Sequence, residues 1–364
     1  MKNTLNYITY QSFPADTANS LQTISNLKYF IKNEYKVNLF FPFREKNSSD
    51  DLGQLQKKYN FTDNINVFGT KHNYPFGKFI YFKKIMFHFS HFLWSKKITK
   101  GFNDASHFYL TRSDWVFYFL AKKNLNVIFE CHQYSKTRSF VFKKVKNFQN
   151  AKIIFLNEFI KNEFGLLNNK CLVLPNGVDL ELFNKQLEQD KANNKVIFVG
   201  NLLRFGKQRN LDFIIEAFRT LEDFNLTIVG GPSDISKKLS NYVNKMNIKN
   251  VSIKGRLDRV ATINEIESSS YGLLINSDDK LSKLYTSPLK YFEYLAAKLK
   301  VIAVNFPSHS LLPEQENIYY FEYKDVNSFK NAIFEASQSQ FFDIDIEKYS
   351  LSNRVKQIIQ FFNT

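Results

Sequence analysis

Short apolar runs, each closed by Gly, Asn or polar turn residues and most followed by a helix-length amphipathic stretch, recur along the 364 residues. This alternation constrains the fold more than any other feature of the chain. Segments 4–10, 37–43, 107–111, 126–130, 152–156 and 171–174 read as strands. A second series follows at 196–199, 225–230, 250–255, 271–276, 301–305 and 318–321. Leu21, Ile24, Leu27, Phe30 and Ile31 share one face of a helix opened by Ala18-Asn19-Ser20, and 210–219, 326–337 and 344–362 also read as helices. Strands in βαβ order must be parallel and covered by helices on both faces. Two such series predict an α/β protein of two doubly wound, Rossmann-like domains facing across a cleft.

Length agrees, because 364 residues exceed what one hydrophobic core usually supports. The turn residues Pro175-Asn176-Gly177-Val178-Asp179, with Phe183 beyond, mark the exit from the first sheet, and the polar run 184–194 reads as a linker. The expected division is a first domain over 1–183, a second over 195–342, and a tail helix over 343–364.

A formal charge of +16, with 39 Phe and 19 Tyr, calls for a polyanionic partner: nucleic acid, an acidic substrate or an anionic membrane surface. The Lys and Arg are dispersed and no standard nucleic-acid signature occurs, so a nucleic-acid partner is not expected. Cys131 and Cys171 are the only cysteines and form no C-x-x-C pair, which suggests neither a disulfide framework nor a zinc site. MKNTLNYITYQ has no basic region before an apolar core, and no uncharged apolar run reaches the length of a membrane span. A cytoplasmic protein is expected.

Chemistry concentrates at strand ends and helix starts. In Tyr285-Thr286-Ser287-Pro288-Leu289-Lys290, Ser287 suits an N-cap and Pro288 the first helical position. The exposed N–H groups of such a helix attract phosphate, Lys290 adds a full charge, and Glu293 lies one turn in, able to accept from sugar hydroxyls. On spacing alone an ordinary capped helix with a surface Lys290–Glu293 pair is the favoured reading, since most such helices merely pack. Gly200 closes a strand ahead of Asn201, Arg204 and Lys207, and Gly230-Gly231-Pro232 closes another. There too, solvated surface charges at Arg204, Lys207 and Arg209 remain an open reading. His132 ends a strand, and the loop 11–18, with Pro14, Ala15 and Asp16 before Asn19, lies at the carboxyl end of the first strand, where open α/β sheets bind ligands.

The stretch SPLKYFEYLAAKLKVIAV resembles the nucleotide-sugar signature of family 4 of the retaining GT-B glycosyltransferases, the glycosyl transferases group 1. PNGVD resembles that family's interdomain connector, FPADTANSLQT its acceptor-facing first loop, and Glu130-Cys131-His132 its first-domain motif. The resemblance implies metal-independent transfer with retention from a nucleotide diphosphate sugar, with no cofactor, to a glycan or lipid-linked acceptor. It implies catalytic roles for His132, Lys207 and Glu293. Donor contacts would come from Gly200, Asn201, Arg204, Lys207, Gly230, Arg256, Leu257, Tyr285, Thr286, Ser287, Pro288, Leu289, Lys290 and Glu293, and acceptor contacts from Pro14, Ala15, Asp16 and Asn19. A tail helix packing back on the first domain is implied as well. The chain departs from the pattern in three places. Tyr285 stands where many relatives carry a sugar-binding Glu, Asn201 where they carry Arg, and Pro14-Ala15 where they carry Gly-Gly. Arg204 is the expected replacement for the missing charge, and a degenerate, non-catalytic GT-B binding protein is the alternative.

The segment 78–100, KFIYFKKIMFHFSHFLWSKKITK, interleaves aromatics with lysines. Two readings stand. It is an interfacial helix on an anionic bilayer, or a core helix with Ile80, Met86, Phe89 and Leu93 turned inward. The family's lipid-linked acceptors imply the first.

Overall fold

The computed structural model describes residues 3–74, 83–165, 170–183, 194–204, 207–209 and 211–364, without the side chains of Lys83, Arg204 and Lys207. The expected linker and residues 78–82 of the aromatic segment therefore lie almost wholly outside the described residues.

The chain forms two compact units, Met1–Pro175 with Leu351–Thr364, and Asn176–Ser350. In the first, β1 (Thr4–Ile8), β2 (Lys36–Phe43), β3 (Asn66–Lys71), β4 (Phe108–Thr111), β5 (Val127–Cys131), β6 (Ala151–Phe155) and β7 (Cys171–Val173) make one sheet of order β3-β2-β1-β4-β5-β6-β7. Every pairing in it is parallel. Strand order reverses between β1 and β4, which places the ligand-binding edge at residues following β1, β4 and β5. The helix Ala18–Lys32 starts beside that edge. Thr17 caps it by accepting from the Ser20 N–H at 3.1 Å, and Ser20 Oγ reaches back toward the Thr17 N–H. Such a cap contributes about 1 kcal/mol.

The second unit contains β8 (Lys195–Val199), a short hairpin of β9 (Leu203–Arg204) and β10 (Lys207–Gln208), then β11 (Asn225–Val229), β12 (Val251–Gly255), β13 (Tyr271–Leu274), β14 (Lys300–Val304) and β15 (Ile318–Phe321). Its sheet, of order β12-β11-β8-β13-β14-β15, is again parallel. The period of two explains why these strands read as unbroken apolar runs. Val196 and Phe198 of β8 enter the core on one face and Ile197 and Val199 the core on the other; Ile302 and Val304 of β14 oppose Val301 and Ala303 in the same way.

Boundaries differ from expectation at both crossings. Residues 176–183, expected in the first domain, pack in the second, where Val178 is buried with Leu180, Leu182 and Phe183 against the same cluster. The expected tail helix is two elements. A 3-10 turn, Ile346–Tyr349, stays on the second unit, and the helix Leu351–Asn363 buries Leu351, Val355 and Ile358 in the first. The edge strand β3 and the helices Leu52–Tyr59, Ser233–Lys245 and Arg259–Glu267 have no counterpart in the sequence reading. The polar stretch 277–286, read as a loop, contains the helix Lys280–Leu284, capped by Asp279 on the Ser282 N–H at 3.0 Å.

Helix Lys83–Ile98 turns inward a face that differs from the one the core-helix reading expected. Ser90, His91, Trp94 and Ser95 are buried, while Phe89, expected inside, is 51% exposed. Hydroxyls beneath the helix set this choice: His91 Nε2 meets Ser113 Oγ at 2.5 Å, and the Trp94 indole donates to Thr70 Oγ1 at 2.8 Å. A purely aliphatic face would leave those groups unpaired.

Candidate functional site

In the second unit the helix Leu289–Ala296 is almost wholly interior: Tyr291, Phe292, Glu293, Tyr294 and Leu295 are all buried. Gly272 makes its close approach possible, because a Cβ there would come within 2.3 Å of the Tyr294 ring. The Tyr294 hydroxyl then accepts from the Val199 N–H at 3.1 Å, locking the helix to the end of β8. Pro288, not Ser287, occupies the N-cap, and no side chain caps the helix. Ser287 is engaged elsewhere: its Oγ accepts from the Asn176 N–H at 3.0 Å and its carbonyl from the Asn176 amide at 2.6 Å. The turn ahead of the helix is thus shaped by the connector motif, leaving the first helical N–H groups without a side-chain cap. Thr286 Oγ1 donates to the Ser282 carbonyl at 2.9 Å, and Tyr285 is buried, with Lys280 Nζ 5.9 Å from its ring centroid.

Lys290 and Glu293 are not a surface pair. Glu293 is 5% exposed; its Oε2 lies 2.5 Å from Lys290 Nζ and its Oε1 3.0 Å from Arg259 Nη1. Burial alone would raise this carboxyl, yet the two cations hold it below the ordinary value, and burial lowers the Lys290 ammonium despite its partner. The cluster carries one net positive charge at the start of a helix, an arrangement complementary to an anion. Arg259, first residue of the helix Arg259–Glu267, was missed because nothing local in sequence marks it.

The loop after β8 is built on backbone contact. The Leu202 N–H donates to the Gly231 carbonyl at 2.8 Å, and a Cβ on Gly230 would sit 1.9 Å from the Gly200 carbonyl oxygen, so only glycine fits at 230. Gly231 faces the Arg256 side chain, and Leu257 packs on the adjoining core. Asn201 is exposed and accepts from the Leu203 N–H at 3.2 Å. Arg209 is no solvated charge. Its Nε donates to the Asn201 carbonyl at 2.6 Å and its Nη1 to the Ile275 carbonyl at 2.9 Å and to Asn276. Arg209 therefore braces the loop in which Arg204 was expected to act. Arg204 and Lys207 themselves lie in the hairpin strands, with side chains outside the described residues.

In the first unit, His132 follows β5 and stands beside Glu130, Nε2 to Oε1 3.5 Å. Glu130 is 2% exposed and takes two guanidinium groups: Arg112 places Nε and Nη2 at 2.8 and 2.7 Å from Oε2, and Arg354 places Nη2 at 2.5 Å from Oε1. These cations hold the Glu130 carboxyl well below its usual range although burial opposes them. Burial and then Arg112 lower the His132 pKa to about 4, against the pull of Glu130, so the imidazole is neutral at pH 7. Arg112 also donates from Nη1 to Asn19 Oδ1, whose amide nitrogen meets Gln11. His132 and the acceptor-side candidate Asn19 thus belong to one network, joined by Arg112 and Glu130. Pro14 and Ala15 do not join it. The Ala15 carbonyl accepts from Tyr59 and Ser20, and Asp16 pairs with Lys58 at 2.5 Å on the surface.

Among the described residues no group of three or more His, Cys, Asp or Glu side chains could hold a metal ion.

Comparison with known proteins brings two kinds of likeness. Residues 193–339 match the family model of the glycosyl transferases group 1. No curated protein matches the chain by sequence. Among solved structures, a variant of S. aureus TarM, determined with fondaparinux, α-GlcNAc-glycerol and UDP, is 11% identical over 100% of both chains, with a TM-score of 0.70. Sucrose-phosphate synthase from Thermosynechococcus elongatus is 15% identical, covering 99% of this chain and 94% of its own, with a TM-score of 0.64. UDP-GlcNAc 2-epimerase from Methanocaldococcus jannaschii reaches 0.61 at 9% identity over 99% of both chains. These likenesses show the GT-B fold, which carries more than one chemistry.

Proposed function

Because residues 193–339 match the family model of the glycosyl transferases group 1, we propose that the protein moves a hexose-type sugar from a nucleoside diphosphate donor to a hydroxyl of a glycan or lipid-linked acceptor, with retention and without a metal. The observation that carries this reading is the Lys290–Glu293–Arg259 cluster at the start of the Leu289–Ala296 helix. As the bond from the sugar C1 to the donor phosphate oxygen breaks, negative charge collects on the diphosphate. Helix N–H groups and preplaced cations stabilise that charge without reorganising. The acceptor oxygen forms its bond to C1 on the face the diphosphate leaves, and its proton passes to the departing phosphate oxygen. Neutral His132 orients the sugar rather than taking a proton. The epimerase among the structural neighbours shares only the fold; the family match across the donor-type unit favours transfer.

Calorimetry with UDP and GDP followed by donor-hydrolysis assays tests this. Saturable nucleotide binding with sugar release supports the transferase. Binding without turnover of any donor would favour the alternative, a degenerate GT-B binding protein, for which Tyr285 and Asn201 argue. No binding of either nucleotide would count against a uridine or guanosine diphosphate donor and leave the non-catalytic GT-B protein standing.

We further propose that the protein works at an anionic membrane surface. No helix among the described residues is long and apolar enough to cross a membrane. However, Ile85 and Phe89 are 61% and 51% exposed on one face of Lys83–Ile98, with Lys84, Lys96 and Lys97 exposed on the same helix.

A further inference from the structure

We propose that Arg354, on the helix Leu351–Asn363, is a positioning residue for His132, acting through the Glu130 carboxylate that both of them face. The inference rests on the reading of His132 as an active-site residue.

Arg354 is 3% exposed and each of its three guanidinium nitrogens donates a hydrogen bond. Nε donates to the Pro175 carbonyl at 2.8 Å, Nη1 to Asn26 Oδ1 at 3.3 Å and Nη2 to Glu130 Oε1 at 2.5 Å. The two guanidinium groups divide the carboxylate between them, Arg112 on Oε2 and Arg354 on Oε1. His132 Nε2 faces the oxygen that Arg354 holds. Rotation of the carboxylate is blocked from both sides, so the oxygen that meets the imidazole is set by a residue more than 220 positions away in sequence.

The other end of the guanidinium gives this placement its meaning. Pro175 is the last residue before the chain leaves the first unit, and Leu351 is the first on its return. Arg354 ties departure to return directly. Just beyond, the two crossing segments pair again, the Val178 N–H donating to the Tyr349 carbonyl at 2.9 Å. A mere staple for the terminal helix would need only the apolar contacts of Leu351, Val355 and Ile358 and one surface charge.

The charged groups facing His132 are Arg112, Glu130 and Arg354, and Tyr7 is buried among the same three. Removing Arg354 takes away a cation and frees Glu130 to turn toward the imidazole, both of which favour protonation. Removing the Glu130 charge acts oppositely.

The test is NMR titration of the imidazoles in the full chain, the His132 signal assigned by its absence in His132→Gln. In Arg354→Met, His132 should titrate about one pH unit higher than in the native protein; in Glu130→Gln it should titrate lower. Unchanged His132 titration in a folded Arg354→Met protein, with only a lower melting temperature, would reduce Arg354 to a staple. If that variant does not fold, Arg354→Lys decides. It keeps the charge but cannot reach Pro175, Asn26 and Glu130 together, so donor hydrolysis should fall at least tenfold in kcat with donor affinity unchanged. A native kcat would overturn the proposal. The titration needs no substrate, so a chain that lacks turnover but shows the shifts would refute the proposed function and leave the positioning role standing.

Discussion

Asn176 grips Ser287 twice, backbone N–H to Oγ at 3.0 Å and side-chain amide to carbonyl at 2.6 Å. The asparagine of the connector motif thus shapes the turn that opens the Leu289–Ala296 helix. Asn176→Ala leaves the backbone bond and removes the amide, stranding a buried carbonyl at a cost of about 1–3 kcal/mol. Nucleotide affinity should fall several-fold because the helix start is no longer fixed. Asn176→Asp should be worse, since it sets a carboxylate against that carbonyl. Calorimetry with UDP or GDP checks both, and native affinity in Asn176→Ala would show that the turn holds itself.

Lys290 and Arg259 share Glu293, so their removal should separate ligand binding from stability. Lys290→Met leaves Glu293 paired with Arg259 but removes a charged contact worth about 1.5–3 kcal/mol to a bound diphosphate. Nucleotide affinity should drop tenfold or more while the melting temperature changes little. Glu293→Gln instead leaves two cations together in a buried site and should cost about 3–5 kcal/mol of stability. The Glu293 carboxyl is held below its ordinary value, so its contribution is present above that value and lost as pH falls through the folded-state one. The stability curve of Glu293→Gln should therefore be flatter on the acid side. A curve parallel to that of the native protein would remove Glu293 from the acid response.

Much of the fold could be read from local pattern, because a parallel strand buried on both faces is an unbroken apolar run such as Val196–Val199 of β8. The edge strand β3, Asn66–Lys71, carries no such signal, since it is only half covered and mixes Asn, Gly, Thr and Lys with two apolar residues. At the candidate sites the sequence marked residues lying on motifs, Lys290, Glu293 and His132. It missed the partners that fix them. Arg259 meets Glu293, Arg112 and Arg354 reach His132 through Glu130, and Asn176 meets Ser287, all only after folding. The same limit explains Arg209, whose three carbonyl and amide partners come from two different strand ends.

His132 titrates near pH 4, and its own protonation should set the acid limit of activity. Its folded-state pKa lies below the ordinary histidine value, so between about pH 6.5 and 4 the unfolded chain binds more protons and the native state loses stability as pH falls. Turnover should stay level from pH 8 to about 5 and fall below that, whereas a histidine acting as a base with an ordinary pKa would lose activity from about pH 7 downward. His132→Ala should abolish most transfer and leave nucleotide affinity at the native level. Transfer at the native rate would assign the residue a structural role.

The last prediction concerns the helix Lys83–Ile98. Its buried side is fixed by Ser90, His91, Trp94 and Ser95, and Phe87 sets its ring against Tyr10 at 5.5 Å. Ile85, Phe89 and Lys96, at positions i, i+4 and i+11, fall together on the opposite face, where an exposed aliphatic side chain, an aromatic ring and an ammonium group match the headgroup boundary of an anionic bilayer. Each lysine near such a surface contributes about 1 kcal/mol, a term that salt screens, and the two apolar side chains add burial that salt does not weaken. Phe92 is engaged in the fold, edge-on to Trp115 at 4.9 Å, and should be left in place. The full chain is therefore expected to co-sediment with vesicles containing anionic phosphatidylglycerol at low salt and to release at high salt. Lys84→Ser with Lys96→Ser and Lys97→Ser should abolish most of the binding. Ile85→Ser with Phe89→Ser should weaken it and make the remainder more salt-sensitive, with the melting temperature unchanged because neither side chain is buried. Equal binding to neutral phosphatidylcholine vesicles would refute the electrostatic part, and no binding to either would make a soluble glycan the better acceptor.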